Sequence, residues 1–168
     1  MSVASPENIA IVTTGGTIDK AYFDALSEYQ VGETMVAQLL KAGRVMYPWR
    51  IVELLRKDSL DLTDDDRARL RDTIAGMPER RIVVTHGTDT MTDSASVLAE
   101  LSEKVIVMTG ALAPARFSES DATFNLGMAF AAAQVLSPGV YIAMNGQVFR
   151  AAEVKKDRQQ GRFVPIGA

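Results

Sequence analysis

Ile9-Ala10-Ile11-Val12-Thr13-Thr14-Gly15-Gly16-Thr17 is the stretch that decides the fold. Its first four residues form an unbroken, mostly β-branched apolar run, the composition of a strand covered on both faces. A hydroxyl-bearing turn follows, with two glycines able to adopt backbone conformations that other residues avoid. The same unit recurs along the chain. Ile51–Leu55 leads to Lys57-Asp58-Ser59, and Ile82-Val83-Val84 leads to Thr85-His86-Gly87-Thr88-Asp89-Thr90. Val105–Met108 leads to Thr109-Gly110-Ala111, and Val140–Met144 leads to Asn145-Gly146. Helical patterns lie between these runs, over Glu33–Lys41, from Thr63 onward, over Met91–Leu101 and over Ala122–Leu136. Asp66 stands three residues after Thr63, the spacing of a capping box, and Asp64-Asp65-Asp66 suits the positive helix end. Strand–helix alternation predicts an α/β fold: a single three-layer (αβα) domain with a mostly parallel sheet.

The 168 residues suffice for one domain, read as spanning 1–168 with 1–7 and 157–168 as flexible tails. Lys plus Arg number 18 and Asp plus Glu 21, a net charge of -3, which argues against nucleic acid as a partner. The absence of cysteine excludes disulfides, thiol catalysis and Cys-ligated zinc, and a single histidine, His86, excludes a His-rich metal site. No apolar run approaches the roughly 18 residues of a membrane span. The opening Met-Ser-Val-Ala-Ser-Pro-Glu-Asn lacks a basic region followed by an apolar core, so a cytoplasmic location is expected.

In an open parallel sheet, ligands bind at the carboxyl edge of the strands, where all five polar clusters fall. Thr14-Gly15-Gly16-Thr17 reads as a tight turn, a phosphate cradle or a loop presenting the Thr17 hydroxyl as a nucleophile. It matches neither G-x-G-x-x-G nor a Walker A sequence. His86 is read first as a packed, hydrogen-bonded residue and second as a general base. Thr88 beside Asp89 pairs a hydroxyl with a carboxylate, fit to bind an ammonium and orient water. Asp58-Ser59 offers an anion for an α-amino group and a hydroxyl for a carboxylate, or else a turn before the Thr63 cap. Lys155-Lys156 is a solvated pair, or carries a lysine that burial turns into a base. The apolar stretch Met128–Leu136 is read first as a buried crossover helix and second as an interface.

Taken together, Thr14-Gly15-Gly16-Thr17-Ile18 and Thr85-His86-Gly87-Thr88-Asp89-Thr90-Met91 resemble the two signatures of the bacterial-type L-asparaginase and glutaminase family. Asp58-Ser59-Leu60-Asp61-Leu62-Thr63 resembles its substrate-clamping segment. Phe124-Asn125-Leu126, after Ser120-Asp121, resembles the segment before its last N-domain helix. Lys156, six residues after Phe149-Arg150, falls where the family keeps a catalytic lysine. The resemblance covers the family's N-terminal domain and suggests a short, single-domain L-asparaginase without the C-terminal domain.

It implies hydrolysis of the L-asparagine side-chain amide to L-aspartate and ammonia. Catalytic residues would be Thr17, Thr88, Asp89, Lys156 and a lid tyrosine, Tyr22 in preference to Tyr29. Gly16, Asp58, Ser59, Gly87 and Ala111 would bind substrate. A Lys156 kept neutral by burial would take a proton from Thr88 or from water, and the Thr88 amide with the glycine loop would hold the oxyanion. No cofactor or metal is implied, and a homodimer or homotetramer is expected to cover the site. Two rival expectations are a non-catalytic asparagine- or aspartate-binding module, and an amidase with another preference such as glutamine.

Overall fold

The computed structural model describes residues 7–167. Its elements run in the order β1 (Ile9–Gly15), β2 (Lys20–Phe23), β3 (Glu28–Val31), α1 (Val36–Ala42), β4 (Trp49–Lys57), α2 (Asp64–Ala75), β5 (Arg81–Thr85), α3 (Met91–Leu98), β6 (Val105–Thr109), α4 (Ala122–Val135), β7 (Gly139–Met144), β8 (Gln147–Arg150), β9 (Val154–Asp157) and β10 (Arg162–Pro165). The five apolar runs are the five parallel strands of a six-stranded sheet in the order β4-β1-β5-β6-β7-β8. Only β8, joined to β7 by a hairpin, is antiparallel.

Both faces of the sheet are covered, as continuous apolar strands require. Ala10, Val12, Val84, Ile106 and Met108 pack with Leu70 and Ile74 of α2 and Ala95 and Leu98 of α3. Ile9, Ile11, Val83 and Val107 point the other way, onto Val36 and Leu40 of α1 and Leu126, Ala129 and Phe130 of α4. Every residue of β1 is buried, because it is hydrogen-bonded to β4 on one side and β5 on the other. Helix α4, including Ala129, Phe130, Ala132 and Ala133, packs on this sheet as a crossover helix.

Three features were not anticipated. Lys20–Phe23 and Glu28–Val31 form a two-stranded hairpin beyond the loop that bears Thr17. Asn145-Gly146, both at positive φ, form the two-residue β7–β8 turn, a combination typical of Asn-Gly. Arg162–Pro165 pairs with β9 and buries Phe163, so this part of the expected tail is a strand. Residues 1–6 and 168 of the expected tails lie outside the described residues. Helix α1 starts at Val36 rather than near Glu33, because the Met35 amide donates to Asp19 Oδ1. Helix α3 ends at Leu98, short of the expected Leu101.

Helix α2 carries the expected capping box. Asp66 N–H donates to Thr63 Oγ1, and Thr63 N–H donates to Asp66 Oδ2. Thr63→Ala is expected to lower stability by about 1 kcal/mol and Tm by roughly 2–4 °C, read by calorimetry. An unchanged Tm would mean that water replaces the cap at no cost.

Candidate active site

The site grows from a close approach of bare backbone. β1 ends at Gly15 and Gly16, with φ of +103° and +86°. The Gly16 N–H donates to Lys57 O at 2.9 Å, at the end of β4. A Cβ on Gly16 would collide with the backbone of Gly87, and one on Gly87 would lie 2.6 Å from Ser59 Oγ. The loops after β1, β4 and β5 therefore touch through glycines where no larger residue fits. Thr17 then opens a single 3-10 turn, Thr17–Asp19, with its side chain half-buried.

The loop after β5 carries Thr88, 7% exposed, and Asp89. Lys156 reaches them from β9 of the outer hairpin. Its Nζ donates to Thr88 Oγ1 at 2.8 Å and to Asp89 Oδ1 at 2.7 Å. Because Thr88 Oγ1 accepts from Lys156, its own proton is directed elsewhere. Lys156 Nζ and Asp89 Oδ1 thus lie within ion-pair distance, with side chains 15% and 34% exposed. Lys155, its neighbour, is exposed.

Ser59 is buried, and its carbonyl accepts from Thr90 Oγ1 at 2.7 Å. Asp58 is ion-paired with Lys20 at 2.9 Å, a partner sequence reading missed. Burial pushes the Asp58 carboxyl up. The Lys20 bond, the Leu60 amide and the charges of Lys20 and Lys156 outweigh it and hold the group below its ordinary range. The amide of Gly16 is committed to Lys57, which removes it from the expected oxyanion donors. Ala111 is buried on the loop after β6. Asp121 fixes that loop by accepting from the amides of Leu112 and Ala113 and from the side chains of Asn125 and Asn145.

Tyr22 and Tyr29 are directly opposite each other on the hairpin, ring centroids 5.3 Å apart, and Tyr29 meets Phe117 at 5.9 Å. Both tyrosines are half-exposed and share one face, so register does not separate them as lid residues.

His86 takes its blander role. It is fully buried, with Nδ1 2.6 Å from Gly87 O and Nε2 2.7 Å from Ser94 Oγ. Burial pushes its pKa down to about 4, so it stays neutral near pH 7. Asp19, which sequence reading also missed, lies two residues past Thr17 and is buried. Desolvation raises its pKa to about 6, against the Met35 amide, Thr34 and Arg116. Arg116 in turn donates to the carbonyls of Asp19 and Glu33. The available signal was a charged pair, Asp19-Lys20, between Ile18 and Ala21.

Comparison with known proteins places the chain in a family. The family model described as asparaginase, N-terminal, matches residues 8–162. The chain is 31% identical over 166 residues to a Haemophilus influenzae protein named probable L-asparaginase periplasmic, covering 92% of this chain and 48% of that protein. It is 30% identical over 163 residues to the glutaminase-asparaginase of Acinetobacter glutaminasificans, covering 89% and 49%. Among solved structures, the probable cytoplasmic L-asparaginase of Campylobacter jejuni superposes with a TM-score of 0.75 at 30% identity, covering 89% and 48%. The chain thus spans about half the length of the curated relatives it matches. Among the described residues, no helix is long and apolar enough to cross a membrane.

Two of the buried titratable groups, His86 and Asp19, oppose each other in acid. His86, lowered from 6.5 to about 4, contributes stability that is full above pH 6.5 and lost as pH falls toward 4. Asp19, raised from 3.8 to about 6, contributes stability that is full below pH 3.8 and lost as pH rises through 6. Each effect is about 3 kcal/mol. Asp19→Asn is therefore expected to raise stability at pH 7 by about 1–3 kcal/mol and to steepen its loss between pH 6.5 and 4. Urea unfolding across that range checks it, and an unchanged slope removes Asp19 from the balance.

Proposed function

The chain belongs to the asparaginase family, whose N-terminal domain it matches, and on that premise we propose that it hydrolyses L-asparagine to L-aspartate and ammonia. The observation that supports this most is the meeting of Lys156 with Thr88 and Asp89 beside the Thr17 loop. These groups come from distant parts of the chain, and the surface-facing Lys155 next to Lys156 makes no such contact.

In this proposal Thr17 Oγ1 attacks the side-chain amide carbon. A threonine hydroxyl is a weak nucleophile at its free pKa and needs help with its proton. Acylation moves that proton to the departing nitrogen, which leaves as ammonia. Deacylation adds water to the acyl carbon and returns a proton to Thr17. Tyr22, or Tyr29 opposite it, serves the first transfer. The Thr88–Lys156–Asp89 chain serves the second, with a general acid–base contribution of roughly 10²–10⁴-fold. The Thr88 amide holds the developing oxyanion, a contact worth about 3 kcal/mol. Asp58 and Asp89 hold the substrate ammonium, with Ser59, Gly16, Gly87 and Ala111 shaping the pocket.

Glutamine is the second substrate to test, favoured by the relative named glutaminase-asparaginase. One methylene distinguishes the two amides, a difference of about 1–3 kcal/mol in a fitted pocket. The cytoplasmic location and the homodimer or homotetramer remain part of the proposal. The exposed Tyr22, Leu26, Tyr29 and Phe117 support assembly, since such apolar clusters are commonly covered.

Coupled ammonia release from L-asparagine, with L-glutamine in parallel, is the test. Thr17→Ala is expected to abolish turnover while leaving Tm nearly unchanged. Retained turnover would remove Thr17 from the nucleophile role. Lys156→Met is expected to cut kcat by 100-fold or more with a smaller change in KM, and an effect on KM alone would contradict the relay. Aspartate binding without ammonia release would replace the enzyme by a binding module.

A further inference from the structure

Asp19 is a buried titratable group without a part in the proposed chemistry. It lies two residues past Thr17 and is 2% exposed. Three segments of the chain meet on it. Its N–H donates to Gly16 O at 3.2 Å, closing the turn that bears Thr17. Its carbonyl accepts from the Gly32 N–H at 2.8 Å, where the β2–β3 hairpin returns, and from Arg116 at 3.1 Å. Its side chain accepts from the Met35 N–H at 2.9 Å and from Thr34, at the start of α1. Arg116 reinforces the junction by donating to Glu33 O at 3.0 Å.

The hairpin departs at Lys20, the residue after Asp19, and comes back at Val31, the residue before Gly32. Beyond that junction Tyr22, Phe23, Leu26 and Tyr29 are all exposed, so the hairpin is held at its base more than along its length. A carboxyl at the base is costly. Burial opposes its ionisation and raises its pKa to about 6. An amide would accept from Met35 without that cost. A buried charge kept at the expense of stability, beside a reactive group, points to function. Resting on the amidohydrolase reading, we propose that Asp19 is a positioning residue that ties the Thr17 turn to the base of the hairpin, and so sets the approach of Tyr22 or Tyr29 to the Thr17 hydroxyl. It acts through these two elements rather than on the substrate. The leverage is large, because a misplacement of about 1 Å at a reacting group costs roughly 100-fold in rate.

Asp19→Ala removes the acceptor, and Asp19→Asn keeps an acceptor oxygen for Met35 while removing the charge. Asp19→Ala is expected to lower kcat for L-asparagine roughly tenfold or more, with KM changed less than about threefold. Asp19→Asn is expected to recover kcat to within about threefold of the unaltered chain. Chymotrypsin cleavage of the folded protein at Tyr22, Phe23, Leu26 and Tyr29, read by mass spectrometry, reports opening of the hairpin. It is expected to speed up roughly tenfold or more in Asp19→Ala and to stay unchanged in Asp19→Asn. A carboxyl needed for folding alone would change Tm and leave kcat per folded molecule as it was. That result, equal losses of kcat in the two variants, or unchanged cleavage in Asp19→Ala overturns the assignment. Failure of the unaltered chain to release ammonia from L-asparagine instead removes the amidohydrolase reading, and the cleavage rates then still decide whether Asp19 holds the hairpin.

Discussion

The site depends on one steric constraint, the contact of Gly16 with Gly87 and of Gly87 with Ser59. Three loops leave three adjacent parallel strands at the same edge, and they converge only because two of them carry no side chain at the point of contact. A single methyl at Gly16 would push apart the segments bearing Thr17 and Thr88. The parallel register of β1 with β4 and β5 sets the height at which the loops start. The glycines then let them close the remaining distance. The geometry of the candidate nucleophile is thus a property of the sheet rather than of a flexible loop, which is where precise positioning is best built.

Around that contact the polar groups fall into two sets by the partners they bond. His86 and Thr109 turn inward and spend their hydrogen bonds on Ser94, Gly87 and Ala143. Asp89 and Lys156 keep partial exposure, and Lys156 bonds both Asp89 and the buried Thr88. The distinction matters because Thr85-His86-Gly87-Thr88-Asp89 is continuous in sequence. Strand pleat and the turn at Gly87 send its first half into the core and its second half toward the edge. Asp19 is a further case, a buried carboxyl tying the turn that begins at Thr17 to the start of α1.

Much of this was legible in the residues. Continuous apolar strands announced a sheet covered on both faces, and the Thr63–Asp66 spacing announced its cap. The parts that were not legible share a physical reason. The hairpins β2–β3 and β9–β10 carry mixed polar sequences, because β2–β3 buries no residue fully and β9–β10 buries only Val154 and Phe163. Short exposed strands have weak periodicity and are specified by their neighbours. The Lys20–Asp58 pair was hidden for a related reason. Its members are 38 positions apart in sequence, and only the parallel pairing of β1 with β4 brings them together. Lys156 was found through a motif, although nothing in Val154-Lys155-Lys156-Asp157 itself says which lysine faces inward.

The bond between Lys156 and Thr88 spans 68 positions of the chain, and it is made by a hairpin that follows every strand of the main sheet. During synthesis, at roughly 5–20 residues per second, β1 through β7 emerge with their loops already grouped at one edge. The lysine arrives only afterwards. The strands of the main sheet are therefore made before the partner that Lys156 gives to Thr88. A molecule cut short before β9 would keep the strands of the main sheet and lack the lysine that bonds Thr88 and Asp89.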